Sequence, residues 1–477
     1  MLNRRELIAK AGLSGGALVL PSSLSLLTRP TRSAHAPLFP PPFSLPLRIP
    51  PVARPTHQDV TTDYYRLTVA DTEATIFPGI RTKVLTYNGE FPGATIKARR
   101  GRRVVITQVN RCAQPAVLHT HGLHNPPNED GYPMDLVGPG QQRDYHYRND
   151  QLGATLWYHD HVHHLDAERI YRGLAGYYLL EDPAERAFGL PEGEFEVPLM
   201  LRDAEFDHAG QLVFRMGGFR TRKTLLINGG PQPYFQVAAR KYRFRFLNTA
   251  NERRFVLRLA NNAPMLLVGS DGGLLPKPVP AHTFEIWPGE RVEAVIDFAK
   301  FRPGTRIELV NDHGEDAGTR RVMRFDVTRP ALDHSHVPAT LRPLPEFGTP
   351  SAHREVRFQL DRKTGMFLID GKIFDPHRVD QHIKLGATEI WTIRNDDVKP
   401  AIPHNMHIHL VQFKVLDRNG TQVGGCETGL KDTVTVPSGG YVRLKARFAD
   451  YTGRYVYHCH LLDHEAMGMM AQFEISR

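Results

Sequence analysis

Six pairs of histidines separated by a single residue occur in this chain, at 119/121, 159/161, 161/163, 334/336, 407/409 and 458/460. With 24 histidines in 477 residues, random placement would give about one such pair. Residues i and i+2 of a β-strand lie on one face. Each pair held in a strand therefore aims two imidazoles at a common point. All the pairs except 334/336 fall in or beside four stretches: H-T-H-G (His119 to Gly122), W-Y-H-D-H (Trp157 to His161), H-N-M-H-I-H-L (His404 to Leu410) and H-C-H-L-L-D-H-E-A-M-G-M (His458 to Met469). Two lie in the first part of the chain and two in the last.

The rest of the sequence supports strands. Its 37 Pro and 40 Gly punctuate short runs rich in Val, Ile, Thr, Phe and Tyr, such as Y-Y-R-L-T-V, R-V-V-I-T-Q-V, Y-R-F-R-F-L-N and R-V-E-A-V-I-D-F. These runs group into three blocks, at 57–182, 194–330 and 354–477, with a Pro- and Glu-containing connector after the first and a Pro-rich linker at 331–353. Short strands at this spacing suit Greek-key sandwiches, so the expectation is an all-β chain of three β-sandwich domains in series. D-A-E-R-I-Y-R-G (Asp166 to Gly173) is one of few helical-looking pieces. F-L-I-D-G-K (Phe367 to Lys372) echoes L-L-I-N-G-G (Leu225 to Gly230), each ahead of another strand.

The N-terminus reads as a targeting segment. N-R-R-E-L-I-A-K (Asn3 to Lys10) precedes a modestly apolar run, and Ala34-His35-Ala36 offers a cleavage site. Residues 1–36 are similar to a twin-arginine export signal, with a Pro-rich extended leader at 37–56. The apolar run is shorter than the ~18–20 residues of a spanning helix, so no membrane span is expected once the signal is removed. The expected location is periplasmic or extracellular. The net charge of +9 includes five Lys/Arg and one Glu from residues 1–36. The remaining mild excess, with no basic run and no nucleic-acid motif, gives no reason to expect a nucleic-acid partner. Exported chains can form disulfides; of Cys112, Cys426 and Cys459, the odd thiol would be Cys459, and the pairing of the other two stays open.

One H-x-H pair alone is more often a satisfied surface or core pair than a ligand set; four such motifs, one with a central cysteine, indicate metal. Structural zinc needs four ligands, not twelve. A His₂Cys set with a distant Met describes a blue-copper centre. Cys459, His464 and Met469 supply three of its members, and His404 is the candidate for the second imidazole. The eight other motif histidines fit imidazole-bound coppers.

Taken together, the four stretches resemble the four copper-binding motifs of the multicopper oxidases, over roughly residues 60–477. H-I-H-L-V-Q-F-K-V-L-D-R, G-L-K-D-T-V and Y-T-G-R-Y-V-Y-H-C-H-L-L-D-H-E are similar to three-domain bacterial laccases of the spore-coat and bilirubin-oxidase type. The resemblance implies three cupredoxin-like domains and four copper ions. His404, Cys459, His464 and Met469 match type 1 ligands; His119 and His407 match type 2; His121, His159, His161, His409, His458 and His460 match the type 3 pair. It also implies O₂ as acceptor and a small reducing substrate: a phenol, an aromatic amine or a bilinoid, with a metal ion (Cu(I), Mn(II) or Fe(II)) as the alternative. Asp130 and Glu465 match acidic residues that deliver protons in the family. A monomer is expected.

Some residues depart from the pattern or read more plainly. Asn405 stands where the family usually has Pro, leaving an N–H and an amide beside His404. Met467 and Met470 compete with Met469, which alone has the family spacing. His124, His163 and His164 read as neighbours of the ligands or surface residues, and Trp157 and Tyr158 as core. With only 11 Met and no methionine-rich insert, the chain does not read as a dedicated cuprous oxidase. A copper-free scaffold with this fold would lose ligands first, and all twelve are present.

Overall fold

Strands form where β-branched and aromatic residues recur at alternate positions. The computed structural model describes residues 39–477; residues 1–36, expected from the sequence to be an export signal, lie outside them, as do the first two residues of the leader. Arg103–Asn110 shows the rule: Val104 and Ile106 are buried and Arg103 is exposed. The strands make six sheets that fall, in chain order, into three pairs. The first pair has five and four strands, and the second and third pairs have seven and five each. The chain is all-β, built from cupredoxin-like sandwiches. The longest of its three α-helices among the described residues is Asp166–Arg172, ended by Gly173 at φ 130°.

A repeat in topology underlies the repeated composition. In each pair the first long strand runs parallel to a later one. Thr62–Val69 lies beside Arg103–Asn110, Glu196–Leu201 beside Arg243–Asn248, and Ala352–Phe358 beside Glu389–Asn395. Each sandwich closes over its own apolar core, around Ile96 and Leu156, Phe244 and Phe325, and Trp391 and Phe473 respectively. The two echoing segments are hairpin turns. Asn228-Gly229 and Asp370-Gly371 all have positive φ, the backbone that two-residue loops need to match strand twist.

Connections that read as loops are tied down. The Pro-rich leader hydrogen-bonds along the second sandwich (Phe43 N to Gln232 O, 2.7 Å; Leu47 N to Tyr234 O, 2.7 Å) and then the first (Ala53 N to Thr95 O, 2.8 Å). In the 331–353 linker, Arg342 donates to the Gly153 and Gly272 carbonyls and to Glu185. Cys112, Cys426 and Cys459 are all free thiols. No helix among the described residues is long and apolar enough to cross a membrane.

Candidate metal centres

Two antiparallel pairs carry the four histidine stretches. Leu118–His121 pairs with Ala154–Asp160, placing His119 opposite His159 and His121 opposite Trp157. His404–Ile408 pairs with Gly453–Cys459, placing His407 opposite His458 and Met406 opposite Cys459. Alternation then sorts the side chains. His404, Met406 and Ile408 share the face of Cys459, and Met406, Ile408 and Cys459 lie in the core of the last sandwich. His407 and His409 share the opposite face with His458 and His460, which meets the histidines of the first sandwich.

On the inner face, His404, Cys459 and His464 converge. His404 Nδ1 and His464 Nδ1 are 3.1 Å apart, and Cys459 Sγ is 3.6 and 3.7 Å from them. The centre of such a triangle lies about 2 Å from each corner, close to metal–imidazole and metal–thiolate bond lengths. His404 is fixed from behind, its Nε2–H donating to Asp397 Oδ2 at 2.8 Å. Phe367 stacks on His464 at 3.8 Å. Burial pushes the Cys459 thiol up to about 12, so its thiolate requires a cation in the triangle. Met469 is buried in the same cluster, and its carbonyl accepts the Cys459 N–H at 3.1 Å. Met470 packs elsewhere, with Phe374 and Val456.

On the outer face, eight imidazoles form three groups whose ligand atoms lie within 4.8 Å of one another: His119, His121 and His407; His121, His159 and His460; His161, His409 and His458. His409 Nε2 is 3.2 Å from both His161 Nε2 and His458 Nε2. His119 Nε2, His407 Nε2, His121 Nδ1, His159 Nε2 and both His460 nitrogens are buried without a hydrogen-bond partner. Buried polar atoms are rarely orphaned, and so many together fit metal ions. Their opposite nitrogens are mostly held: His119 Nδ1 by Asp130 O (2.5 Å), His407 Nδ1 by Asp432 O (2.8 Å), His159 Nδ1 by Asp160 O (2.9 Å) and His121 Nε2 by Asp432 Oδ1 (2.9 Å). Such contacts set the tautomer and aim the free nitrogen. Burial depresses every one of these histidines, His119 to about 3 and His458 to about 4, so all stand neutral, the ligand form.

Asp130 and Glu465 both reach this group. Asp130 Oδ2 accepts from His409 Nδ1 at 2.7 Å, and its Oδ1 is 3.8 Å from His119 Nδ1. Glu465 stands 3.0 Å from His458 Nδ1 and 3.4 Å from His161 Nδ1, too far off-line for well-formed hydrogen bonds. Burial raises both carboxyls, Glu465 to about 8.

Other residues singled out in the sequence fall around the groups. Asn405 donates to Pro288 O at 2.9 Å, and its own carbonyl accepts the His460 N–H. His124 pairs with Asp450 at 2.9 Å, and His164 Nδ1 donates to Ala466 O at 2.6 Å. Trp157 stacks on His159 at 4.2 Å. Sequence reasoning missed Asp397 and Asp432. Asp432 lies within G-L-K-D-T-V, but nothing local marks its grip on His121, because its partner Arg291 lies far off in the chain.

The multicopper oxidase family matches in three parts, at residues 68–185, 204–305 and 349–477. A laccase of Bacillus stratosphericus is 35% identical, over 90% of this chain and 98% of its own. The bilirubin oxidase of Albifimbria verrucaria is 36% identical, over 91% of this chain and 81% of its own. The crystal structure of a laccase from Pediococcus acidilactici superposes with a TM-score of 0.85 at 30% identity, covering 92% of this chain and 95% of that one.

Proposed function

We infer the activity from one premise: the chain belongs to the multicopper oxidase family. It is a copper-dependent oxidoreductase that uses O₂ as acceptor, of the laccase type. We propose that His404, Cys459, His464 and Met469 hold the type 1 copper, His119 and His407 the type 2, and His121, His159, His161, His409, His458 and His460 the type 3 pair. The observation that carries this is the convergence of these donors into compact, buried groups with orphaned nitrogens.

The four coppers supply one-electron oxidation at one end and four-electron reduction of O₂ to water at the other. The chain's part is to place and insulate. His464 sits at the wall of a cavity of about 1150 Å³ between the second and third sandwiches, where a small donor can approach its ring. Cys459 is bonded directly to His458 and His460, so consecutive residues ~3.8 Å apart join the two centres. Asp130 and Glu465 stand beside the type 2 and type 3 ligands with raised carboxyls, and we assign them proton delivery. The donor is a phenol, an aromatic amine or a bilinoid, and the N-terminal segment sends the enzyme out of the cytoplasm. Asp463 and Glu465 are the acidic residues nearest His464 in sequence, and both are buried, so they offer a metal ion no exposed docking site.

Oxygen uptake by the copper-loaded protein with a dimethoxyphenol as donor tests the reading. One O₂ consumed per four electrons, with no peroxide, is expected. No uptake despite four bound coppers, with uptake on Cu(I), Mn(II) or Fe(II), would replace it with a metal-ion oxidase.

A further inference from the structure

The donor cavity is joined to the trinuclear histidines by a second route, made of charge. Glu290 and Lys431 line the cavity along with His464 and Trp287. Lys431 Nζ lies 3.2 Å from Glu290 Oε1 and 3.0 Å from Asp271 Oδ2. Asp271 Oδ1 accepts the Arg291 backbone N–H at 2.8 Å and lies 3.7 Å from the Arg291 guanidinium. Arg291 grips Asp432 through both terminal nitrogens, and Asp432 Oδ1 lies 2.9 Å from His121 Nε2. All five side chains are buried.

The signs alternate from Glu290 through Lys431, Asp271 and Arg291 to Asp432. Three carboxylates against two cations leave one negative charge too many, and an uncompensated buried charge is costly. Asp271 lies between two cations and Asp432 takes a two-point guanidinium contact. Glu290 has one cation, which it shares, and its other oxygen accepts only the Trp287 N–H at 2.8 Å. It is the end of the chain that most readily gains a proton, and it is the end in the cavity.

We propose that Glu290 takes up the proton that a hydroxylated aromatic donor releases beside His464, an inference that rests on the oxidase reading above. The donor O–H bond breaks. Its proton goes to a Glu290 carboxylate oxygen, one electron leaves by way of His464 to the enzyme's own O₂-reducing chemistry, and a neutral phenoxyl radical remains. Glu290 changes protonation but not oxidation state, and the buried chain becomes neutral. Burial supports this by raising the Glu290 carboxyl to about 7, with Asp271 and Glu427 adding and Lys431 opposing. The other carboxylates of the cavity suit the role less. Glu285 and Glu427 are paired with Arg254 and Arg418, and Glu315 is half-exposed to solvent, 4.0 Å from Lys223 Nζ. Glu252, against Asp463, is raised to about 8 and holds its proton at neutral pH.

The test compares the copper-loaded wild type with Glu290→Gln and Glu290→Asp, using dimethoxyphenol and, as a donor with no proton to lose, ferrocyanide. Wild-type phenol oxidation should rise with pH through about neutrality, as Glu290 ionises. In E290Q it should fall at least tenfold and lose that limb, while E290D restores part of both. Infrared titration of the holoenzyme should show a protonated-carboxyl band that disappears through the same pH range and is missing in E290Q. An unchanged phenol pH profile in E290Q, or no such band, overturns the proposal. Wild-type oxidation of ferrocyanide but not of dimethoxyphenol would remove the phenol-oxidase reading and this proposal with it. Loss of ferrocyanide oxidation in E290Q alone would mean that Glu290 holds the metal centres together, which also overturns it.

Discussion

At the scale of the residue, the unusual demand is to keep a thiol and two imidazoles 3.1 to 3.7 Å apart in an apolar core. Asp397 meets part of it by accepting the His404 Nε2–H and so leaving Nδ1 free to bind. Losing such a partner typically costs 10–100-fold in metal affinity. Asp397→Ala should therefore weaken copper at the Cys459 site by about 10- to 100-fold, read by chelator titration of the thiolate–copper colour, with the other three coppers retained. An equal loss at all four coppers would show that Asp397 supports the fold rather than the ligand. Asp397 carries no mark in the sequence. It lies seven residues before His404, in a loop whose path is set by tertiary packing, whereas the histidines announced themselves by a two-residue period.

At the scale of the element, the site depends on turns as much as on strands. Gly131, at φ +77°, ends the loop that carries Asp130 to His119. A Cβ there would lie 2.2 Å from the Leu118 carbonyl oxygen, in the strand that holds His119. Backbone cannot yield as a side chain can, so Gly131→Ala must shift that strand. The expected result is a loss of about 2 kcal/mol or more in stability and fewer than four coppers bound, measured by denaturant unfolding and metal analysis; full loading at wild-type stability would refute it. The strands themselves were legible, because alternation and Gly/Pro punctuation report them directly. So was the sorting of His404 from His407 and His409, since an odd spacing changes face. The parallel pairing that opens each sandwich was not legible. It joins residues 37 to 47 positions apart through partners that no local pattern names.

At the scale of the whole molecule, two further kinds of contact join the sandwiches beside the apolar packing of Trp157, Met200 and Leu462. One is ionic. Glu293, fully buried on the second sandwich, accepts from Thr155 of the first at 2.6 Å and is clasped by Arg243 and Arg245. Although burial alone would raise it, the two arginines hold its carboxyl down at about 2. A depressed folded-state pKa gives stability that is present above the ordinary glutamate value of about 4.5 and lost as pH falls toward 2. That contribution is on the order of 3 kcal/mol. Glu293→Gln should thus lower the melting temperature at neutral pH, and the gap from wild type should narrow as pH falls from about 5 to about 3. A gap that holds constant with pH would mean the loss is one of packing.

The other is the contact that copper would make through the proposed histidine ligands. In the assignment proposed above, the trinuclear groups take ligands from the first sandwich (His119, His121, His159, His161) and the last (His407, His409, His458, His460), whereas His404, Cys459, His464 and Met469 all come from the last. A ligand stabilises only the state that assembles its site. The type 1 copper therefore ties one sandwich to itself, while the trinuclear coppers tie together two ends of the chain. Calorimetry of three species separates these effects: fully loaded wild type, Cys459→Ser carrying only the trinuclear coppers, and wild type stripped of all copper. The step from the second to the third should be the larger, and it should split one transition into two as the first and last sandwiches melt apart. A larger first step would mean that the ionic and apolar contacts between the sandwiches suffice without metal.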